Sequence, residues 1–130
     1  MFLHLMDDDQ KRALIALAGA MVTRDGRADT DEVGYLKRLM VESGLGRDLG
    51  EITSADAVDP GVFATRAAKC AAVAELLILS ILDGVYDDAE AALADGLVKE
   101  MGLSTEDHEM LCRIAEDAVG ALSKMRHLVE

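Results

Sequence analysis

The stretch "DGRADTDE" at residues 25–32 and the stretch "DGVYDDAE" at residues 83–90 carry Asp, Gly, Asp and Glu at the same offsets, 58 positions apart (83 − 25 = 58). Carboxylates in this pattern could hold a hard divalent cation such as Ca²⁺, Mg²⁺ or Mn²⁺. The candidate ligands are Asp25, Glu32, Asp83 and Glu90, with Asp29 and Asp87 as a second tier. The step from Asp-Gly to Glu matches the back half of an EF-hand loop, where Gly stands at the sixth position and a bidentate Glu at the twelfth. The front half is missing. The first and third positions would be Met21 and Thr23 in one copy, and Leu79 and Ile81 in the other. Each turn therefore offers only a few carboxylates, and a whole site needs the two turns brought together.

A purely local reading covers most of these acids. Asp29 with Glu32, and Asp87 with Glu90, have the spacing of a capping box. Asp31 and Asp88 are then first-turn acids favoured by the helix dipole, and Gly26 and Gly84 are helix stops. Asp25 and Asp83 are left over. Each follows a helix C-terminus, where a negative charge opposes the dipole at a cost of about 0.3–1 kcal/mol. Hydrogen bonds from backbone N–H groups of the turn, or a bound cation, would each offset that cost.

The elements around these turns read as helices. Residues 7–24 open with Asp7, Asp8 and Asp9, and place Leu14, Leu17, Ala18, Met21 and Val22 at helical spacing. A second helix covers about 29–43, with Val33, Leu36, Leu39 and Met40 inward and Gly44 at its end. Residues 45–59 read as a loop with a short helical turn near 54–58. Asp59-Pro60 starts a helical pattern that runs to Leu82 as one helix, or as two with a break near 67–69. Its most apolar part, "CAAVAELLILSIL", is too short to span a bilayer and reads as a central buried helix. A further helix covers about 87–101, and "STED" at 104–107 caps a last one running to about Met125, with Leu111, Ile114, Ala118, Val119 and Leu122 on one face. No strand pattern appears. The expectation is an all-α single domain over residues 1–130, a compact bundle of six or seven helices.

Aligning 11–45 with 69–103 gives eleven identities in thirty-five positions, among them Asp25/Asp83, Gly26/Gly84, Glu32/Glu90, Leu39/Leu97 and Gly44/Gly102. Each half, about 8–45 and 66–103, reads as an αα-hairpin. An apolar helix, then Asp-Gly, an acid-rich turn, Glu seven residues after the Asp, and Gly-Leu, all written twice, resembles the TerB-like family over residues 8–122. That family includes tellurite-resistance proteins and the companion domain of a membrane-anchored J-domain co-chaperone. The resemblance implies a compact helical domain, a cation site at the acidic turns and a role in stress-associated complexes. The positions it carries over are Asp25, Gly26, Glu32, Asp83, Gly84 and Glu90. It implies no enzymatic activity.

Composition narrows the partners. The net charge of −12 repels nucleic acid and anionic membranes and favours cations or basic protein surfaces, so a protein partner is expected. With no Trp, two Phe and two Tyr, the core must be aliphatic. Cys70 and Cys112 lack a pairing pattern and read as reduced core thiols of a cytoplasmic protein; "MFLHLMDDD" has no secretory character. His4 falls in a frayed N-terminus, His127 in the C-terminal tail, and His108 among acids as a solvated histidine. The seven Met read as core filler. No nucleophilic motif or phosphate loop is present, so no catalytic residue is assigned. Three function classes follow: a non-enzymatic binding module with a divalent cation, a structural interaction domain without metal, and a carboxylate-metal hydrolase. The last needs an open metal position and a substrate pocket that the sequence does not supply.

Overall fold

The computed structural model describes residues 1–23, 30–46, 58–82 and 88–130. Among them the protein is all-helical, with five α-helices and two short 3₁₀ turns: α1 (Asp8–Thr23), α2 (Thr30–Glu42), α3 (Arg66–Ile81), α4 (Asp88–Glu100) and α5 (Thr105–Val129), with the turns at Leu3–Leu5 and Pro60–Val62. Of the loop expected at 45–59, residues 47–57 lie outside the described residues.

α3 is the centre of the molecule, and its composition explains why. Its first half is rich in small residues, with Ala68, Ala71, Ala72 and Ala74 all buried; its second half carries Leu76, Leu77, Ile78 and Leu79, also buried. A helix apolar on every side must be covered on every side. α1, α2, α4, α5 and the N-terminal turn all pack on it. One cluster of buried side chains draws on all five helices, from Leu14, Leu17 and Met21 through Leu39 and Phe63 to Leu97, Leu111 and Ala115.

Local signals set most helix ends. Asp7 and Gln10 exchange side-chain bonds with each other's backbone N–H, at 2.8 and 2.9 Å, and start α1. Ser104 and Asp107 do the same for α5, and Arg66 grips Asp107 through two bonds of 2.9 and 3.2 Å, tying the start of α3 to the start of α5. Gly44 (φ 69°) and Gly102 (φ 72°) follow α2 and α4 in the left-handed conformation that glycine adopts without a steric penalty. After α4, Leu103 N–H reaches Val98 C=O and Gly102 N–H reaches Lys99 C=O, so these two late carbonyls are satisfied. After α2 the Ser43 hydroxyl replaces one of these links, donating to Met40 C=O at 2.6 Å and accepting from Leu45 N–H at 3.3 Å.

Three local expectations change. The helical pattern from Pro60 to Leu82 is two elements, and the break falls at 63–65 instead of 67–69. Phe63 is fully buried and anchors the chain there, while extended Thr65 caps α3 by accepting Ala68 N–H at 3.1 Å. The N-terminus is not frayed: Leu3 and Met6 are buried against the core. α5 runs past Met125 to Val129, so His127 lies on its final turn.

The described helix spans also register with each other. α1 and α3 start 58 positions apart (8 + 58 = 66), and α2 and α4 end 58 positions apart (42 + 58 = 100).

Candidate functional site

Asp25, Asp29, Asp83 and Asp87 lie outside the described residues. The remaining two sequence-predicted ligands have a shared fate. Glu32 sits in the first turn of α2 and Glu90 in the first turn of α4, and both are buried, at 4% and 6% exposure. Carboxylates are seldom so withdrawn from water, because desolvating the charge is costly. Among the described residues no three His, Cys, Asp or Glu side chains converge in the manner of a metal site. Glu32 and Glu90 alone are therefore not a complete ligand set.

A second carboxylate centre had no place in the sequence reading. Glu75 lies midway along α3 and is 0% exposed. The position 58 residues earlier is Leu17, so a carboxylate occupies what is a leucine site in the other hairpin. Its Oε1 accepts Phe2 N–H at 2.7 Å and meets the Met1 ammonium at 2.8 Å. Its Oε2 accepts the Tyr35 hydroxyl at 2.5 Å. The same ammonium reaches Glu42 Oε2 at 2.9 Å, and Glu42 Oε1 accepts Arg38 Nε at 3.1 Å. A buried carboxylate is tolerable only when its lone pairs are met by donors or positive charge, and here three donors meet it.

The electrostatics follow from these contacts. Burial tends to lower the pKa of the Met1 amine, but its bonds to Glu75 and Glu42 outweigh burial and raise it above the ordinary value of 8.0. Burial works in the opposite sense on Glu42, and the ammonium and Arg38 overcome it to lower that pKa. Tyr35 is raised far above an ordinary phenol, first by burial and then by the charge and hydrogen bond of Glu75. The arrangement binds positive charge and keeps Tyr35 protonated.

Beside this centre, across the Tyr35 ring, lies a groove of about 350 Å³ between α2, the end of α3 and the last turns of α5. Arg38 and Arg126 give it positive charge; Leu82, Leu122, Met125 and Val129 give it apolar wall. Arg38 stands 6.0 Å from the Tyr35 ring centre, and Arg126 lies 3.7 Å from Asp31. α5 carries an apolar stripe at Leu111, Ala115, Ala118, Leu122, Met125 and Val129, with alternating steps of four and three. Its first three members are buried, whereas Met125 and Val129 are 60% and 73% exposed.

Burial, then the charges of Glu116, Asp95 and Glu109, raises the Cys112 pKa and holds it as a thiol; neither cysteine forms a disulfide. His108 is half-buried instead of solvated, with Nδ1 3.6 Å from Asp95.

Comparison with known proteins adds no relative: no family model matches the chain, and no match is found among curated proteins or solved structures.

Proposed function

We propose that this chain is a non-enzymatic TerB-like binding module that holds a divalent cation with carboxylates from two matched helix starts. Glu32 and Glu90 are the observation that carries the reading. An acid that only caps a helix can stay in water, yet both of these are withdrawn from it, 58 positions apart. A cation offsets the desolvation of two carboxylates at once. Asp25 and Asp83 would complete the ligand set from the neighbouring turns, and carboxylate oxygens favour Ca²⁺, Mg²⁺ or Mn²⁺.

The matched starts of α1 and α3 and the matched ends of α2 and α4 support the view that the two hairpins are copies of one unit, as do the paired left-handed glycines at 44 and 102. Repeated units pack about a pseudo-twofold axis, which would bring the acidic turns together. By the resemblance, the module serves stress-associated complexes in the cytoplasm.

Thermal unfolding with each ion tests the proposal. A site filled at 100 times its Kd adds about 2.7 kcal/mol, on the order of 10 °C in Tm for a chain of this length. A Glu32→Gln/Glu90→Gln variant should lose most of that gain. No ion-dependent gain in the parent would leave the second reading, a protein-interaction domain without metal. That reading draws on the α5 stripe, which continues off the core beside two arginines.

A further inference from the structure

We propose that the exposed flank of α5 docks a second copy of this chain, antiparallel and about a twofold axis at Ala121, so that Asp117 of each copy meets Lys124 of the other. The proposal concerns other residues than the acidic turns and stands whether or not they bind a cation.

The first observation is an apolar line that the fold leaves in water. Beside the buried Leu111, Ala115 and Ala118, α5 carries Met110, Ile114, Ala121, Met125 and Leu128, which at helical pitch share one sector of about 60°. All five are exposed, and Met110, Met125 and Leu128 reach 53%, 60% and 79%. Apolar side chains aligned in this way, on a chain of net charge −12, mark a contact surface.

The second observation is charge, and it selects the occupant. Asp117 and Lys124 border the line on the same edge, and neither has an ion-pair partner among the described residues. α5 as a whole is divided. Glu106, Asp107, Glu109, Glu116 and Asp117 precede Ala118, whereas Lys124 and Arg126 follow it with no acid before Val129. A uniformly basic partner would be repelled by the second half, and a uniformly acidic one by the first. An antiparallel copy sets acidic half against basic half twice over, which is the self-complementarity that a twofold interface requires.

The third observation is register. Ile114 and Leu128 stand seven residues before and seven after Ala121, so a twofold axis there places each Ile114 opposite Leu128 of the second copy. The same axis brings Asp117 within one residue, about 1.5 Å along the helix, of the level of Lys124 in the second copy. Ala121 meets itself at the centre, and its small side chain lets the helices approach to the roughly 8–10 Å of packed pairs. A parallel pairing would set Asp117 against Asp117 and Lys124 against Lys124, so charge also fixes the direction.

Analytical ultracentrifugation of the full chain tests the pairing, in about 0.15 M salt so that charges more than about 8 Å apart are screened. The mass should rise from one chain toward two between micromolar and millimolar concentration. Ile114→Asp should remain a single chain throughout. Asp117→Lys and Lys124→Asp should each weaken self-association by at least about tenfold, because each sets like charges against each other. Mixing these two single variants should restore pairing, seen in native mass spectrometry as a species holding one chain of each. The combined Asp117→Lys/Lys124→Asp chain should pair as the parent does. If Ile114→Asp fails to fold, the charge variants, which alter only exposed positions, still decide the question. A parent that stays monomeric at about 1 mM, a dimer that charge reversal does not weaken, or single variants that gain nothing on mixing would overturn the proposal.

Discussion

Glu75 is where a small change has the largest worked consequence. Substitution by Gln keeps shape and one oxygen acceptor but removes the charge from a site that is 0% exposed. Two neutral donors and one ammonium lie on this side chain. Hydrogen bonds to a charged group contribute about 1.5–3 kcal/mol each, and breaking a buried pair costs about 3–5 kcal/mol because the partner stays buried. The Gln variant retains part of the hydrogen bonding, so we expect a loss of about 2–4 kcal/mol. Tyr35→Phe removes one donor and leaves Oε2 without it, for about 1.5–3 kcal/mol. Because the two groups touch, the double variant should fall short of the sum by about 1–2 kcal/mol. Urea unfolding followed by far-ultraviolet circular dichroism measures all four proteins, with an unchanged m-value showing that the same surface unfolds. A Glu75→Gln loss below about 0.5 kcal/mol, with additive behaviour in the double variant, would refute the reasoning.

Other consequences follow from the same geometry. The Met1 amine has a folded pKa raised above its unfolded value of 8.0, so its contribution is complete below about pH 8 and is lost as pH rises through the folded value; denaturant midpoints from pH 7 to 10 should fall, and fall less in Glu75→Gln. Glu42 is lowered from 4.5, so its contribution is present above that value and is lost as pH falls through the folded one. Gly102→Ala and Gly44→Ala force a Cβ into the left-handed region and should each cost about 1–2 kcal/mol in urea unfolding, since space is open at both and only the backbone conformation is strained. Met125→Asp should leave the melting temperature within experimental error, because this side chain is 60% exposed, while weakening any partner that docks on the α5 stripe in pull-down or binding assays.

What could be read from sequence was what is decided locally. Helical periodicity, the capping pair Ser104 and Asp107, the acidic start of α1 and the stops at Gly44 and Gly102 all act within a few residues, and all are present. The break before α3 falls at 63–65 and not near 67–69, because it is set by the burial of Phe63 and the hydroxyl of Thr65, neither of which periodicity displays. Glu75 stands out as an acid in the apolar stretch, but its role could not be read because its partners are 73 and 40 residues away in sequence. The signal was present, a single acid inside an otherwise apolar run, but a lone acid in a buried helix does not say who answers it. The same distance hid the anchoring of the N-terminus. Of the acidic motif, spacing singled out Glu32 and Glu90 but could not show that both are buried.

The most direct test of the central claim is native mass spectrometry of the chain with Ca²⁺, Mg²⁺ or Mn²⁺, run in parallel on the parent, Glu32→Gln/Glu90→Gln and Asp25→Asn/Asp83→Asn. The account predicts one specifically bound divalent ion per parent chain and loss of that species in both double variants, each still folded. No bound ion at millimolar concentration, or equal uptake by all three proteins, would contradict it.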